Sequence, residues 1–389
     1  MLKKIFIENF KSCRNVEIGD LSDLMIFVGK NGAGKTNIFR AVAWAAGQVK
    51  TGLLDLEEMP SMQKCSVRLE ILLDGKEIVY QVKVRSDLVH EEDSNPEIKN
   101  YVDETLFVRL RSGNEDLIFQ RADGRVRVGA DGREFQIGDE AMASAAILAL
   151  LPDHVVAPIV REFQGFLKTI SYNPLDMRTT ERTRRYVQRQ EFVKWQKTST
   201  VLDGSMSETE FKLLDLKMKD SDRFDRLVEV LEHLGIIRAF TIDAFPPESD
   251  QTEPYFYFFN WVPGSNESHQ QMSWADLSYG TRRLIRMFVE FFYNGDKVFM
   301  LEQPEDGIHT GLLVQVLPML RKHARGRQVF INTHSADVMN AASPEEIRMV
   351  QLRSGITVVR PLDESEIEGA CKYLKNDGPL SRYIKLIEE

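Results

Sequence analysis

The 389-residue sequence is poor in cysteine, with only Cys13, Cys65 and Cys371. An odd number of widely spaced cysteines excludes a disulfide framework and a Cys-x-x-Cys metal knuckle, and it fits a reducing, cytoplasmic setting. Long apolar runs are missing too. The longest near-apolar stretch, Ala141 to Leu151, is interrupted by Ser144 and stopped by Pro152, far short of the roughly 20 residues a membrane-spanning helix needs. The start, Met1-Leu-Lys-Lys-Ile-Phe-Ile-Glu8, is basic but loses its apolar character almost at once, so a strand is expected there rather than a secretion signal. No repeat, low-complexity tract or long heptad run is visible. Positive charge is in deficit, 50 Lys and Arg against 59 Asp and Glu for a net −9. The surface as a whole therefore does not attract nucleic acid, and binding to it would need a local basic patch.

What is present is ordinary globular material: 43% hydrophobic and 28% charged residues, in a chain long enough to bury one large core or two smaller ones. Residues 2–8 and 24–28 read as short strands, the second, Leu24-Met25-Ile26-Phe27-Val28, apolar throughout as in a strand buried on both faces. A helix is expected from about Thr36 to Ala46. Residues 65–137 alternate apolar and polar, with Asp74-Gly75 and Asp131-Gly132 as hairpin turns, which predicts an antiparallel sheet. A helical pattern runs from Pro158 to Lys168, before a short strand from Thr169 to Tyr172. Phe224, Leu227, Val228, Leu231 and Leu234 then fall at helical spacing, with Ser221 or Asp222 as N-cap and Gly235 as stop. After the aromatic strand Tyr255 to Phe259, an α/β pattern returns with buried strands Lys297–Leu301 and Gln328–Asn332. The expected organisation is residues 1–177 as a first lobe with an antiparallel sheet, 178–245 as a helical insertion, and 246–389 as a second lobe.

Four motifs carry chemistry. Gly29-Lys-Asn-Gly-Ala-Gly-Lys-Thr36 matches GxxxxGK[ST] directly after a buried strand and at the start of a helix, the setting of a phosphate-binding P-loop. Its backbone N–H groups would cradle phosphates, Lys35 would reach the β/γ oxygens and Thr36 would ligate Mg²⁺. The nucleotide-binding set is Gly29, Asn31, Gly32, Ala33, Gly34, Lys35, Thr36 and Asn37. Val298-Phe-Met-Leu-Glu302 is an apolar strand ending in an acid, a Walker B shape that would hold the Mg²⁺ shell. Leu277-Ser-Tyr-Gly-Thr-Arg-Arg283 has the form LSxGxxR and opens a helix, so Ser278 and Gly280 make a second anion site. Thr333-His334-Ser335 follows a buried strand whose end faces the nucleotide, where the His334 imidazole can touch a γ-phosphate oxygen.

The four motifs and their order resemble the SMC/RecF-like branch of ABC-type ATPases, including the ATPase part of OLD-type and phage-defence proteins. The opening Ile5-Phe-Ile-Glu-Asn-Phe-Lys-Ser12 is similar as well. The resemblance implies a two-lobed α/β ABC-type head with a P-loop mixed sheet, an antiparallel β subdomain and a helical insertion. It further implies an ATP-dependent homodimer or higher oligomer in which Ser278 faces a nucleotide held by a second chain. Glu302 is then a magnesium ligand, His334 the γ-phosphate switch, and Pro304 to His309 the D-loop. A Q-loop is expected near Ser171 to Arg178, where no glutamine stands; Asn173, Asp176 and Gln164 are the candidates. OLD-type proteins carry a TOPRIM nuclease after the head, and the segment after His334, including the acidic Asp363 to Glu368, is too short for one. An effector nuclease or toxin is thus expected on a separate chain.

One departure matters. The family pattern after the Walker B acid has a second acid that polarises the attacking water, and this chain has Gln303. An amide cannot accept a proton, so general-base catalysis at that position is lost while ATP binding survives. Two explanations stand open: an introduced Glu→Gln change that traps the ATP-bound dimer, or a natural ATPase that switches with very slow turnover.

The segment Arg178 to Lys197 gathers Arg178, Arg182, Arg184, Arg185, Arg189, Lys194 and Lys197 around Tyr186, Phe192 and Trp195, a pattern suited to DNA; Glu181 and Glu191 dilute it, and a solvated helix with inward aromatics fits equally. The expected protein is a cytoplasmic, membrane-free ATPase with ATP and Mg²⁺ as cofactors and an ATP-driven dimer switch in antiviral defence. A RecF-type repair ATPase and a non-hydrolysing ATP-dependent scaffold are the alternatives.

Overall fold

The structure is a computed structural model. It describes residues 1–54, 64–89, 97–110, 113–175, 186–198, 208–245, 256–264, 271–293 and 295–388. In chain order these form β1 (Leu2–Phe10), β2 (Cys13–Ile18), β3 (Leu24–Val28), α1 (Lys35–Thr51), β4 (Cys65–Leu73), β5 (Lys76–Val89), β6 (Glu97–Arg109), β7 (Glu115–Ala122), β8 (Arg125–Val128), β9 (Glu134–Gln136), α2 (Ala143–Leu150), α3 (Ala157–Lys168) and β10 (Ile170–Asn173). Then come β11 (Tyr186–Gln188), α4 (Arg189–Thr198), α5 (Glu208–Lys219), α6 (Ser221–His233), β12 (Ile237–Phe245), β13 (Phe256–Pro263) and α7 (Tyr279–Tyr293). The remainder is β14 (Val298–Glu302), α8 (Thr310–His323), β15 (Gln328–Thr333), α9 (Ala336–Asn340), β16 (Ile347–Arg353), β17 (Ile356–Pro361), α10 (Glu364–Asn376) and α11 (Leu380–Glu388). The chain divides into two compact units. Unit 1 is Met1–Tyr172, Asp296–Glu302 and Ala324–Glu389; unit 2 is Asn173–Gly295 and Gln303–His323.

Unit 1 holds two sheets. The first is antiparallel, ordered β2-β1-β4-β5-β6-β7-β8-β9, and the second is ordered β10-β14-β15-β3-β16-β17. In the second, β14, β15, β3 and β16 run parallel, with Glu302 opposite Asn332, Thr333 opposite Val28 and Val28 opposite Met349. That register explains the apolar run in β3: a parallel strand covered on both faces has no side on which a polar residue reaches water, and all five of its residues are buried. It also brings the carboxyl ends of β14, β15 and β3 to one sheet edge, where ligands bind in open α/β sheets. Helix α1 lies in the core, Phe39 edge-on to Phe27 with ring centroids 5.2 Å apart and Trp44 6.1 Å from Phe10.

A buried polar cluster sits in the antiparallel sheet. Glu104 on β6 is fully buried and accepts from the Ala143 amide at 2.6 Å at the start of α2, while Arg121 on β7 caps the carbonyls of Ala141 and Asp139 at 2.7 and 2.6 Å. Burial, the largest cause, pushes the Glu104 carboxyl from 4.5 up to about 7. Between those values the folded chain holds a proton that the unfolded chain releases, so this group's contribution to stability falls as pH rises through that window. The expected result is that Glu104→Gln gains on the parent chain by on the order of 3 kcal/mol between about pH 5 and pH 8, read by denaturant unfolding at both. A stability difference that does not change with pH would show that Glu104 is ionised throughout.

Unit 2 contains the three-stranded sheet β11-β13-β12 and helices α4 to α8. Helix α6 begins where Asp220 accepts from the Arg223 amide at 3.0 Å, one residue before Ser221 and two before Asp222, the N-caps expected from the sequence. The shift reflects the competition of three adjacent cap-forming residues, Asp220, Ser221 and Asp222. Strand β12, unforeseen in the sequence, pairs with the aromatic strand β13.

Candidate functional site

In unit 1 the P-loop turns from β3 into α1. Gly34, the N-cap of α1, has φ 100°, and a Cβ there would lie 2.0 Å from Thr357 Oγ1 and 2.7 Å from Ser12 Oγ. Only glycine fits both the left-handed backbone and the close approach. Behind the loop, the Thr357 hydroxyl donates to the Ala33 carbonyl at 2.9 Å and shares a 2.7 Å hydroxyl–hydroxyl hydrogen bond with Ser12 Oγ, which also accepts from Asn37 Nδ2 at 2.9 Å. Ser12 of the Phe-Lys-Ser opening is thus a buttress of the loop. Lys35, buried, donates from Nζ to the Gly29 carbonyl at 2.7 Å and the Lys30 carbonyl at 3.1 Å.

Thr36 and Glu302 meet as their motifs require: the Thr36 hydroxyl donates to Glu302 Oε1. The other carboxylate oxygen accepts from the Tyr172 hydroxyl. Burial first, then this carboxylate, raises the Tyr172 phenol well above its ordinary range. Tyr172 therefore occupies the segment where a Q-loop was sought and touches the Walker B acid. Of the three candidates there, Gln164 is buried in α3, Asn173 ends β10, and Asp176 lies outside the described residues. Asn332, the register partner of Glu302, points Nδ2 at Thr36 Oγ1 and Glu302 Oε1 at 3.4 and 3.5 Å, and its buried Oδ1 has no hydrogen-bond partner. Neither Tyr172 nor Asn332 was singled out in the sequence. Strand register alone, which puts position 332 beside 302, is the signal that finds Asn332.

These groups fit a magnesium ion. The Thr36 hydroxyl and Glu302 carboxylate are hard donors, the Asn332 carboxamide would add its oxygen once its amide plane turns, and Mg²⁺ takes few protein ligands because phosphates and water complete its octahedron. His334, exposed just after β15, lines a cavity of about 300 Å³ with Val28, Gly29 and Lys30 at the loop's entrance.

In unit 2, Ser278 and Tyr279 are exposed at the start of α7, where the Ser278 hydroxyl accepts from the Thr281 amide at 3.2 Å. Gly280 packs on the D-loop so closely that a Cβ would fall 2.4 Å from the Gly307 carbonyl. Gln303, half-buried, has a left-handed backbone with φ 43°. The basic segment is described only from Tyr186 onward. Phe192 and Trp195 are buried there, both stacked on Phe211, so these aromatics pack inward.

A P-loop, a Walker B acid bonded to its threonine, and a signature serine at a helix start define the class of SMC/RecF-like ABC-type ATPases, with the mixed α/β fold of the ABC-type head. The comparison with known families agrees: residues 24–340 match the AAA_21 family, described as "AAA domain, putative AbiEii toxin, Type IV TA system". The chain belongs to this family of ATPases, whose members bind ATP, ordinarily with Mg²⁺. No curated protein matches by sequence. Among solved structures it is similar to an SMC head bound to the C-winged helix domain of ScpA, at 14% identity and TM-score 0.53, over 95% of this chain and 99% of that one. An SMC head domain from Thermotoga maritima matches at 15% identity and TM-score 0.43 over 93% and 99%. One from Pyrococcus furiosus, with an extended coiled coil and bound to the C-terminal domain of ScpA, matches at 12% and 0.45 over 96% and 99%. The likeness of fold rests on the first. Among the described residues no helix is long and apolar enough to cross a membrane.

Proposed function

We propose that the chain is an ATP-gated switch: two copies close on Mg²⁺-ATP, each offering its P-loop to one nucleotide and its signature helix to the other. The observation that carries this reading is the exposed Ser278 at the start of α7, which caps the Thr281 amide and whose hydroxyl, with the first helix amides, would offer a second anion site. Thr36, Glu302 and Asn332 would hold the Mg²⁺, which supplies charge neutralisation on the phosphates; Lys35 would bind the β/γ oxygens and His334 would touch the γ-phosphate. Gln303 stands at the water-activating position and makes turnover slow, so that closure outlasts hydrolysis.

The family's toxin description supports a role in antiviral defence, with a separate effector such as a nuclease or toxin reading the closed state. A protein partner is also in keeping with the ScpA domain bound by the similar SMC head. The burial of Phe192 and Trp195 weighs against base stacking by these two aromatics, while Tyr186 is half-buried.

The reading is tested by mass measurement in solution with saturating ATP and Mg²⁺. The parent chain is expected to dimerise, and Ser278→Arg to stay monomeric while binding ATP with affinity within about threefold, because the bulky cation blocks only the partner's nucleotide. Equal dimerisation of Ser278→Arg would sink the composite site. A stoichiometric nuclease or toxin co-eluting only with ATP present supports the defence role.

A further inference from the structure

The signature motif contains a residue that the family pattern leaves without a task here. Arg283, on the first turns of α7, is 3% exposed. Its Nη1 donates to the Leu175 carbonyl at 2.7 Å and its Nη2 to the Gln303 carbonyl at 2.7 Å. Both acceptors belong to residues with left-handed backbone, φ 52° at Leu175 and φ 43° at Gln303. Side chains of this size rarely adopt that conformation, and it persists where surroundings hold it. One planar guanidinium fork therefore fixes two strained backbone positions at once, which a lysine ammonium cannot reproduce with the same geometry. The Asp306 carboxylate lies 3.8 Å from Nη2, and the Tyr279 hydroxyl accepts from Nη1 at 3.5 Å.

The two clamped residues are special in chain order. The chain leaves unit 1 after Tyr172 and again after Glu302. Inside unit 1 those two last residues are hydrogen-bonded to each other. Inside unit 2 the segments that follow, 173–175 and 303, are tied together by Arg283. Both crossings of the chain next to the Walker B acid are thus cross-linked on either side.

We propose that Arg283 is a positioning residue for ATP hydrolysis: it sets the backbone of residue 303, and hence the placement of its side chain toward the attacking water, from the helix whose start carries Ser278. A nucleotide engaged by Ser278 then acts through this helix on the carbonyl next to Glu302, so closure and water activation are linked within one chain. This rests on the proposed role of position 303. Misplacing a reacting group by about 1 Å costs on the order of 10²-fold in rate, which sets the scale of the effect expected when the clamp on the Gln303 carbonyl is lost.

The test compares Arg283→Lys and Arg283→Ala with intact Arg283, first in the chain as it stands and then with Gln303→Glu. In the first arm, hydrogen–deuterium exchange is expected to speed up at least tenfold at 173–175 and 303–308 together and to stay unchanged at 29–36. In the second arm, both substitutions are expected to lower kcat about 30- to 100-fold with KM for ATP within threefold, and Lys is not expected to rescue. Should Arg283→Ala fail to fold, Arg283→Lys alone decides. Unchanged exchange in either segment, or full kcat in Arg283→Lys, overturns the proposal. If Gln303→Glu brings no turnover at all, the role of position 303 is what has failed, and the exchange arm still decides the clamp.

Discussion

Replacing Gln303 with glutamate is expected to raise steady-state ATP hydrolysis by about 10²- to 10⁴-fold, the ordinary contribution of a positioned general base. Glu302, the neighbouring acid, is already engaged, and Glu305 falls at a D-loop position. Glu302 has one oxygen engaged by Thr36 and the other by Tyr172. The Gln303 backbone is pinned through its carbonyl by Arg283 at 2.7 Å, and its carbonyl also accepts from the Asp306 amide at 3.3 Å. Its side chain is half-buried and differs from glutamate only in lacking a proton acceptor of carboxylate strength. The change is nearly isosteric, so ATP affinity and melting temperature are expected to hold while kcat rises. Phosphate release under saturating ATP and Mg²⁺ measures it. A rise of less than about threefold would place the water-activating group elsewhere and remove the reason for slow turnover.

Lys35→Ala is expected to weaken ATP binding by about 10- to 10²-fold, measured by calorimetry with a non-hydrolysable analogue. A hydrogen bond from a charged donor is worth about 1.5–3 kcal/mol, and every 1.4 kcal/mol is about tenfold in affinity. The ammonium is buried and bonds within the loop, to the carbonyls of Gly29 and Lys30. Its removal therefore takes away both a phosphate partner and a brace of the loop's shape, while the helix packing through Ile38, Phe39 and Val42 is untouched. Folding is expected to survive, with a small change in melting temperature. Affinity within threefold of the parent would contradict any nucleotide role for this loop.

The parts of the molecule legible in the sequence are those governed by strong local rules. The continuous apolar strand before Gly29, the hairpin signals at Asp74-Gly75 and Asp131-Gly132, and the apolar strand before Glu302 all give elements of that kind in the structure. Strands β2, β12, β16 and β17 escaped notice because their patterns are short or mixed and pairing alone makes them strands. The site divides in the same way. Lys35, Thr36 and Glu302 belong to motifs with fixed spacing. Tyr172 and Asn332 reach Glu302 through sheet order and register, which no local pattern encodes. Arg283 could be read as part of a motif, yet its partners 108 and 20 residues away could not.

The buttress behind the P-loop has a consequence for how the protein comes into being. Ser12 and Thr357 are separated by 345 residues, and Thr357 alone supplies the hydroxyl bond to Ala33 inside the loop. Contacts of such long range form late, since the loop-closure entropy must be met before they reward it. A chain emerging from the ribosome carries its complete phosphate-binding motif almost from the outset, but the loop gains its support only when the β17 hairpin has been synthesised and docked. Until then the motif is complete in sequence but lacks the Thr357 bonds that brace Ala33 and Ser12 in the folded chain.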